Sequence, residues 1–435
     1  MTSESRLFSR TDSEERTDDQ VMLESIISPR IAFRSVAHSA MRSYPGPTTR
    51  AGMTDSDAGP SLGRQLIRPV AYFVASRVTV FLAALGATWI APQLRLIRVL
   101  GTSWDGAWYE KIAQHGYPHG LYQEGLGSRW AFFPAFPAAE RAVVEITRVS
   151  YADAAVALAF VFGLAAAVAI WLAVREVFGR TVADRTVLLF VFFPASYVLS
   201  MGYTEGLFLA AAGLCLFALA RRYWMTAALS AGLASLTRNF GVILMVCVAV
   251  AGLAALRKRW EGRILGALVL TPLPFAGWLL YSWRMTGTPV AFITAEKFWP
   301  DGRFIGFLSP VASAAHLLTG LHAFHDGQAV LATAALVFIY IGSALLLRAK
   351  LEGVSIPTPW WIFTALAVLG AMSPASPTSV LRYSLAAFPL LAALAWKIRP
   401  SWEGLVVAPM AMAQGVLLVV VLVGSLHPNS SIIWP

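Results

Sequence analysis

Long apolar stretches, separated by short basic loops, fill the chain from residue 67 to residue 425 and constrain it more than any other feature. About 17–25 apolar residues make a helix long enough to cross a bilayer. In lipid the backbone satisfies itself only in helices or closed barrels. The stretches lie near 67–91, 152–174, 186–201, 204–220, 224–237, 240–256, 264–283, 327–347, 358–372, 380–396 and 404–425, eleven in all. They predict an all-α, polytopic transmembrane helical bundle of about 11 spans. Composition points the same way: 57% of residues are apolar and only 13% charged, against roughly half and a quarter in soluble domains. A disordered chain is excluded, and a soluble enzyme is disfavoured.

Loop charge sets the expected orientation. Arg175/Arg180/Arg185, Arg221/Arg222, Arg257/Lys258/Arg259/Arg263, Arg348/Lys350 and Lys397/Arg399 fall in alternate loops. Short basic loops stay cytoplasmic. The N-terminus is then cytoplasmic, and the connections 92–151 and 284–326 face the other side. The same rule accounts for the net charge of +10 without nucleic acid as a partner, since no basic stretch is interleaved with aromatics in a polar domain. Arg supplies 29 of the 34 basic residues, and with abundant Ala this suggests a GC-rich bacterial genome. Cys215 and Cys247 lie in apolar runs and read as small buried hydrophobes. Residues 1–64 differ from the rest, with 8 Arg, 9 acidic residues and many Ser and Thr. They read as a disordered cytoplasmic tail, with translation from Met53 as the alternative, and 65–435 as the membrane domain.

The first outer connection, 92–151, is too aromatic for a solvated linker. Trp and Tyr favour the membrane–water boundary, so its pieces are expected to lie along the surface as short interfacial helices. Trp104, Trp108 and Ile112 recur at helical spacing, which would put them on one face with Asp105 beside it. Asp105 stands among aromatics just after a span, where an ionised carboxylate is costly unless paired, hydrated or used. It reads either as a general base that accepts a proton from an attacking hydroxyl or as a helix cap.

The order of short motifs adds a family. Trp104-Asp105-Gly106-Ala107-Trp108-Tyr109, Gly116-Tyr117, Phe132-Phe133-Pro134 and Arg141 open the series. Pro194-Ala195-Ser196, Tyr203-Thr204-Glu205-Gly206, Thr237-Arg238-Asn239 and Leu381-Arg382-Tyr383 continue it. In this order and spacing they resemble the PIG-V-like mannosyltransferases, multi-span glycosyltransferases of the GT-C class. The resemblance covers about 100–400 and leaves out the tail. It implies transfer of mannose from a polyprenyl-phosphate carrier to a hydroxyl of a lipid-linked or cell-envelope glycan acceptor. The transfer would invert the anomeric centre on the non-cytoplasmic side of the cell membrane. Asp105 matches the catalytic carboxylate. Trp104, Trp108, Tyr109, Tyr203, Glu205, Arg141 and Tyr383 match positions that bind substrate or shape the site.

Under that reading, Arg382 and Arg238 are expected to hold the donor phosphate, for which a guanidinium fork is suited; the alternative is snorkelling to headgroups. Glu205 would bind sugar hydroxyls, pair with an Arg or cap a helix. Loop charge alone puts Asp105, Glu205, Arg238 and Arg382 on one side. Arg77, inside the first span, is expected to pair with a carboxylate or to line a lipid groove. His115/His119 and His322/His325 lack a third ligand, so no protein-bound metal is expected. A divalent cation on the donor phosphate is compatible with the site. The rival readings are another sugar on the same carrier, a lipid or glycan transporter, and a non-catalytic assembly subunit.

Overall fold

A computed structural model of the chain describes residues 61–298 except Leu126, 327–372 and 379–426. Residues 1–60, 299–326 with His322 and His325, 373–378 and 427–435 lie outside the described residues, and the expected tail with them.

The bundle opens with α1 (Leu62–Ile90), which carries Pro69 inside it. Three short helices follow, α2 (Leu96–Thr102), α3 (Asp105–His115) and α4 (Ala135–Thr147). They are the short pieces expected of the first long connection. The chain then forms α5 (Tyr151–Phe178) and α6 (Arg180–Phe192), a 310 segment Pro194–Ser200, and α7 (Glu205–Arg221). Next come α8 (Trp224–Ser235), α9 (Gly241–Leu256), α10 (Gly262–Leu270), α11 (Leu273–Thr286) and α12 (Ala291–Ala295). The last elements are α13 (Gly327–Leu351), α14 (Thr358–Ala371), α15 (Val380–Ser384), α16 (Phe388–Lys397) and α17 (Glu403–Gly424).

The count of eleven spans is not confirmed. Among the described residues six helical segments are long and apolar enough to cross a membrane: 62–90, 151–178, 262–286, 330–351, 380–397 and 400–424. A seventh results if the bent pair Arg180–Phe192 and Pro194–Ser200, broken by 78°, counts as one. The remaining apolar runs form α7, α8, α9 and α14, of 17, 12, 16 and 14 residues. Of these, α8, α9 and α14 fall short of the roughly 17–25 residues a full crossing takes, and α7 only reaches the lower bound. Apolar periodicity cannot tell a lipid-facing helix from one buried inside protein, and α7 is the second kind. Its apolar surface runs all round, and Leu207, Phe208, Ala211, Ala212, Cys215 and Leu216 are all buried.

Small residues let the centre close. A Cβ on Gly206 would come 2.9 Å from Gly163 N, and one on Gly213 would come 2.7 Å from Ala169 C, so α7 lies backbone to backbone on α5. This is the small-residue packing that membrane helices use where lipid supplies no hydrophobic drive. A second contact of this kind joins the 100–106 stretch to the turn before α7. Gly202 N donates to Leu100 O at 2.9 Å. A Cβ on Gly202 would collide with Gly101 O, and one on Gly106 would come 2.5 Å from the same oxygen.

Arg77 makes no ion pair among the described residues, contrary to the carboxylate expectation. It is buried within the protein, which also removes it from a lipid groove. Its donors go to backbone carbonyls and hydroxyls at the bend between α6 and the 310 segment.

The Gly202 contact predicts a sharp asymmetry. Gly202→Ala is expected to lower thermal stability of the purified protein by about 1–3 kcal/mol or more, as overpacking does. Gly277→Ala, with nothing within 4 Å of its Cβ, is expected to be neutral or to stabilise by up to about 1 kcal/mol as helix propensity improves. Thermal unfolding of the two variants in one detergent checks both.

Candidate active site

Four charged side chains from distant parts of the sequence meet in one chain of contacts. Arg382 Nη1 donates to Asp105 Oδ2 at 2.7 Å. Arg382 Nε lies 3.4 Å from Glu205 Oε1. Arg238 Nη1 donates to that same Oε1 at 2.8 Å. The order is Asp105–Arg382–Glu205–Arg238, with alternating sign and no net formal charge. Pairing of this kind is one way a buried ion is tolerated.

Each member is set by local structure. Asp105 is the first residue of α3, and Trp104 before it has φ 56° and ψ −122°. Those angles belong to the first central residue of a type II′ turn, a place normally taken by Gly. Gly106 N closes the turn on Ser103 O at 3.0 Å. A non-Gly residue there costs roughly 1–3 kcal/mol and persists only when its surroundings hold it. Here Trp104 packs on the main core, and Gly106 is wedged against Gly101. The small residue after Asp105 therefore has a packing reason. Trp104 also leaves the face it was expected to share, because the helix starts one residue later. Ile112 and Trp108 pack instead in a separate cluster with Tyr109, Phe132 and Phe136.

Glu205 opens α7, where a carboxylate meets the positive end of the helix dipole. The Tyr109 hydroxyl lies 3.3 Å from Thr204 Oγ1, tying α3 to this turn. Arg238 sits in the corner between α8 and α9. Thr237 Oγ1 donates to Ala234 O at 2.6 Å, and a Cβ on Gly241 would collide with Ala234 O, so the corner closes only with glycine. Ala135 N donates to Leu236 O at 2.9 Å, joining α4 to the same corner. Arg382 comes from α15. Its Nη2 donates to the Tyr383 hydroxyl at 3.2 Å, and its guanidinium lies 5.1 Å from the Tyr203 ring centre and 5.0 Å from that of Tyr383. Arg238 lies over Phe240 and Tyr383 at 5.4 and 5.1 Å. These are cation–π distances.

Exposure separates the four. The side chains of Arg382 and Glu205 are 5% and 4% exposed and that of Arg238 15%, whereas Asp105 is 30% exposed. Asp105 is the end that solvent or a ligand reaches. Behind it, Arg238 Nε and the Tyr203 hydroxyl are buried and have no hydrogen-bond partner among the described residues. Buried donors in that state are costly, and they are suited to accept an anionic or hydroxylated ligand.

Of the other residues expected in the site, Tyr109, Tyr203 and Tyr383 line the cluster. Trp108 lies at its edge, stacked on Phe132 at 5.7 Å with Lys111 Nζ 5.4 Å from its ring centre. Arg141 is not brought in. It is exposed on α4 and pairs with Glu145 at 2.7 Å. Among the described residues no three His, Cys, Asp or Glu cluster as a metal site. His115 and His119 are exposed.

Two carboxylates escaped the sequence reading. Glu296 follows α12, which packs on the Arg129–Ala131 turn through Ala291, Ala295 and Trp130. Burial, and then the negative charge of Asp105, push the Glu296 carboxyl up to about 7. The one sequence cue was an acid among apolar residues in the second connection. Glu140, on α4, is fully buried, and neither of its oxygens has a partner among the described residues. Burial, then the charge of Glu110, push it up to about 8.

Comparison with known proteins follows the same outline. Residues 93–258 match the family described as Mannosyltransferase (PIG-V). No match is found among curated proteins. In three dimensions the chain is similar to the Archaeoglobus fulgidus oligosaccharyltransferase in its apo form, with a TM-score of 0.50 and 14% identity. That match covers 84% of this chain and 56% of the other, so this chain spans little more than half of its structural relative. A further match is the archaeal oligosaccharyltransferase AglB from the same organism, in complex with an inhibitory peptide and a dolichol-phosphate. Its TM-score is 0.41 and its identity 14%, and it covers 83% of this chain and 56% of that one. The likeness is one of fold: an all-helical membrane bundle similar to that of the archaeal oligosaccharyltransferase.

Glu140 yields a pH prediction. Its carboxyl moves from an ordinary 4.5 to about 8 on folding. The folded state therefore holds this proton more tightly than the unfolded chain does. The stability this contributes is complete below about 4.5 and is lost as pH rises through about 8. Glu140→Gln is expected to flatten the fall in melting temperature between pH 5 and 8.5 and to melt higher than wild type at the alkaline end. A thermal series across that range measures it.

Proposed function

With residues 93–258 matched to the Mannosyltransferase (PIG-V) family and the GT-C fold around them, we propose that this membrane glycosyltransferase moves mannose from a polyprenyl-phosphate carrier. The acceptor is a hydroxyl of a lipid-linked or cell-envelope glycan, reached on the non-cytoplasmic side. The observation that carries the reading is the alternating ion chain. It leaves one carboxylate, Asp105, open at its end, with Arg382 directly behind it and Arg238 beyond Glu205.

The chemistry follows from that arrangement. The acceptor O–H gives its proton to a carboxylate oxygen of Asp105 as the oxygen attacks the anomeric carbon. The bond from that carbon to the phosphate oxygen breaks, with inversion, and the carrier leaves as a phosphate monoester. Its charge grows as the bond breaks. Arg238 and Arg382 stabilise the growing charge, and donors fixed in a low-dielectric site do this more strongly than water. Arg382 has a second task. By donating to Asp105 Oδ2 it fixes that carboxylate and leaves Oδ1 for the acceptor. Tyr203 offers its hydroxyl to the sugar or the phosphate. Glu205 holds both arginines through one carboxylate oxygen, which is the pairing role among those open to it from sequence.

Glu296 tunes the site. Below about 7 it is neutral, and above that it adds a negative charge near Asp105 and the anionic donor.

The test is transfer of labelled mannose from polyprenyl phosphate mannose in membranes with matched levels of wild type or Asp105→Asn. Transfer by wild type alone, with the variant lower by about 100-fold or more, is the expected outcome, since a general base contributes 10²–10⁴-fold. Equal transfer by both rejects Asp105 as the base. Transfer by neither, with native lipids present, rejects mannose as the sugar.

A further inference from the structure

At the centre of the 29-residue α1 stands Arg77, buried and unpaired with any carboxylate among the described residues. A charge at that depth in a membrane bundle is costly, and the proposed reaction does not use it. Its partners explain its presence. Nη1 donates to Ser196 O at 2.9 Å and to Ser200 Oγ at 2.8 Å. Nη2 donates to Val191 O at 3.2 Å. All three acceptors belong to the bend where α6 stops at Phe192 and the 310 segment starts at Pro194. Proline has no N–H to give back to the helix, and the 78° bend opens carbonyls that lipid cannot satisfy. Gln414, at the middle of α17, donates to Val191 O and Phe193 O at 2.9 and 3.2 Å. Two helices from opposite ends of the sequence thus hold one bend from two sides.

The bend leads directly to the site. The 310 segment ends at Ser200, and Met201, Gly202, Tyr203, Thr204 and Glu205 follow without a spacer. We infer that Arg77 is a positioning residue for transfer. It fixes the broken helix so that the 201–205 turn presents Tyr203 and Glu205 to Arg382, Arg238 and Asp105. The kinetic part of this inference rests on the proposed transfer reaction, whereas the structural part does not.

Two variants and a reporter separate the cases. Arg77→Lys keeps the charge but loses the fork that reaches several acceptors at once. Ser200→Ala removes only one acceptor and leaves both carbonyls in place. Met201, fully buried in the turn, becomes the reporter as Met201→Cys. The two native cysteines, both buried, report on global unfolding in the same molecule. The readout is the rate of labelling by a water-soluble maleimide in membranes.

Cys at position 201 is expected to label about tenfold faster in Arg77→Lys, the factor for loss of one charge-assisted hydrogen bond. A smaller rise is expected in Ser200→Ala, with Cys215 and Cys247 unlabelled in both. The KM for the polyprenyl donor should rise in the same order while the KM for the acceptor stays fixed. Unchanged labelling at position 201 in both variants overturns the inference. So does equal labelling of all three cysteines in both, because Arg77 would then support the whole bundle and not the turn. If labelling behaves as expected but the parent protein transfers no mannose, the functional proposal fails and the positioning role stands.

Discussion

A charge inside an apolar bundle must find an opposite charge or backbone carbonyls, and this requirement organises the structure. Glu205 is nearly sealed from solvent and sits between two arginines. Without Arg238 and Arg382 it would be a buried, unpaired carboxylate, and breaking such a pair typically costs about 3–5 kcal/mol. Without Glu205 the two guanidinium groups would face one another. Asp105 completes the set through Arg382. The four residues are therefore both the functional cluster and a structural joint between the first connection, α7, the α8–α9 corner and α15.

Holding that joint requires the backbone to come close in places where side chains do not fit. Gly101, Gly106 and Gly202 remove Cβ atoms where the Asp105 turn meets the turn before Glu205. Gly241 does the same at the Arg238 corner. Trp104 takes a conformation better suited to glycine, held by the packing around it. The strain, the close contacts and the ion chain lie within one small volume, as expected of a site whose groups are fixed before a ligand arrives.

Much of this was legible in the sequence, and the reasons for the misses are physical. The all-helical membrane class follows from apolar runs and scarce charge. Loop charge placed Asp105, Glu205, Arg238 and Arg382 on one side, and the structure brings the four into contact. The span count was not legible, because α7 is apolar through burial in protein, which periodicity cannot tell from burial in lipid. Arg141 shares its sequence neighbourhood with the site motifs, but helical phase turns it outward to Glu145. Arg77 looked like half of an ion pair. Its partners are carbonyls exposed by a helix bend 114 to 123 residues away, and no pattern in side-chain types encodes them. Glu296 and Glu140 were missed for the same kind of reason, since what shifts them is burial and a like charge brought near by the fold.

The most direct measurement of the account is equilibrium binding of polyprenyl phosphate, without sugar, to the purified protein in lipid nanodiscs. Wild type, Asp105→Asn, Arg238→Lys and Arg238→Gln would be compared by native mass spectrometry. If the ion chain is the anion site of the proposed reaction, wild type and Asp105→Asn bind alike or the latter binds more tightly. Arg238→Lys then binds more weakly, and Arg238→Gln loses about tenfold or more, the worth of a charge-assisted hydrogen bond. Equal binding by Arg238→Gln, with its melting temperature unchanged, would contradict the account, because the donor phosphate would then be held elsewhere.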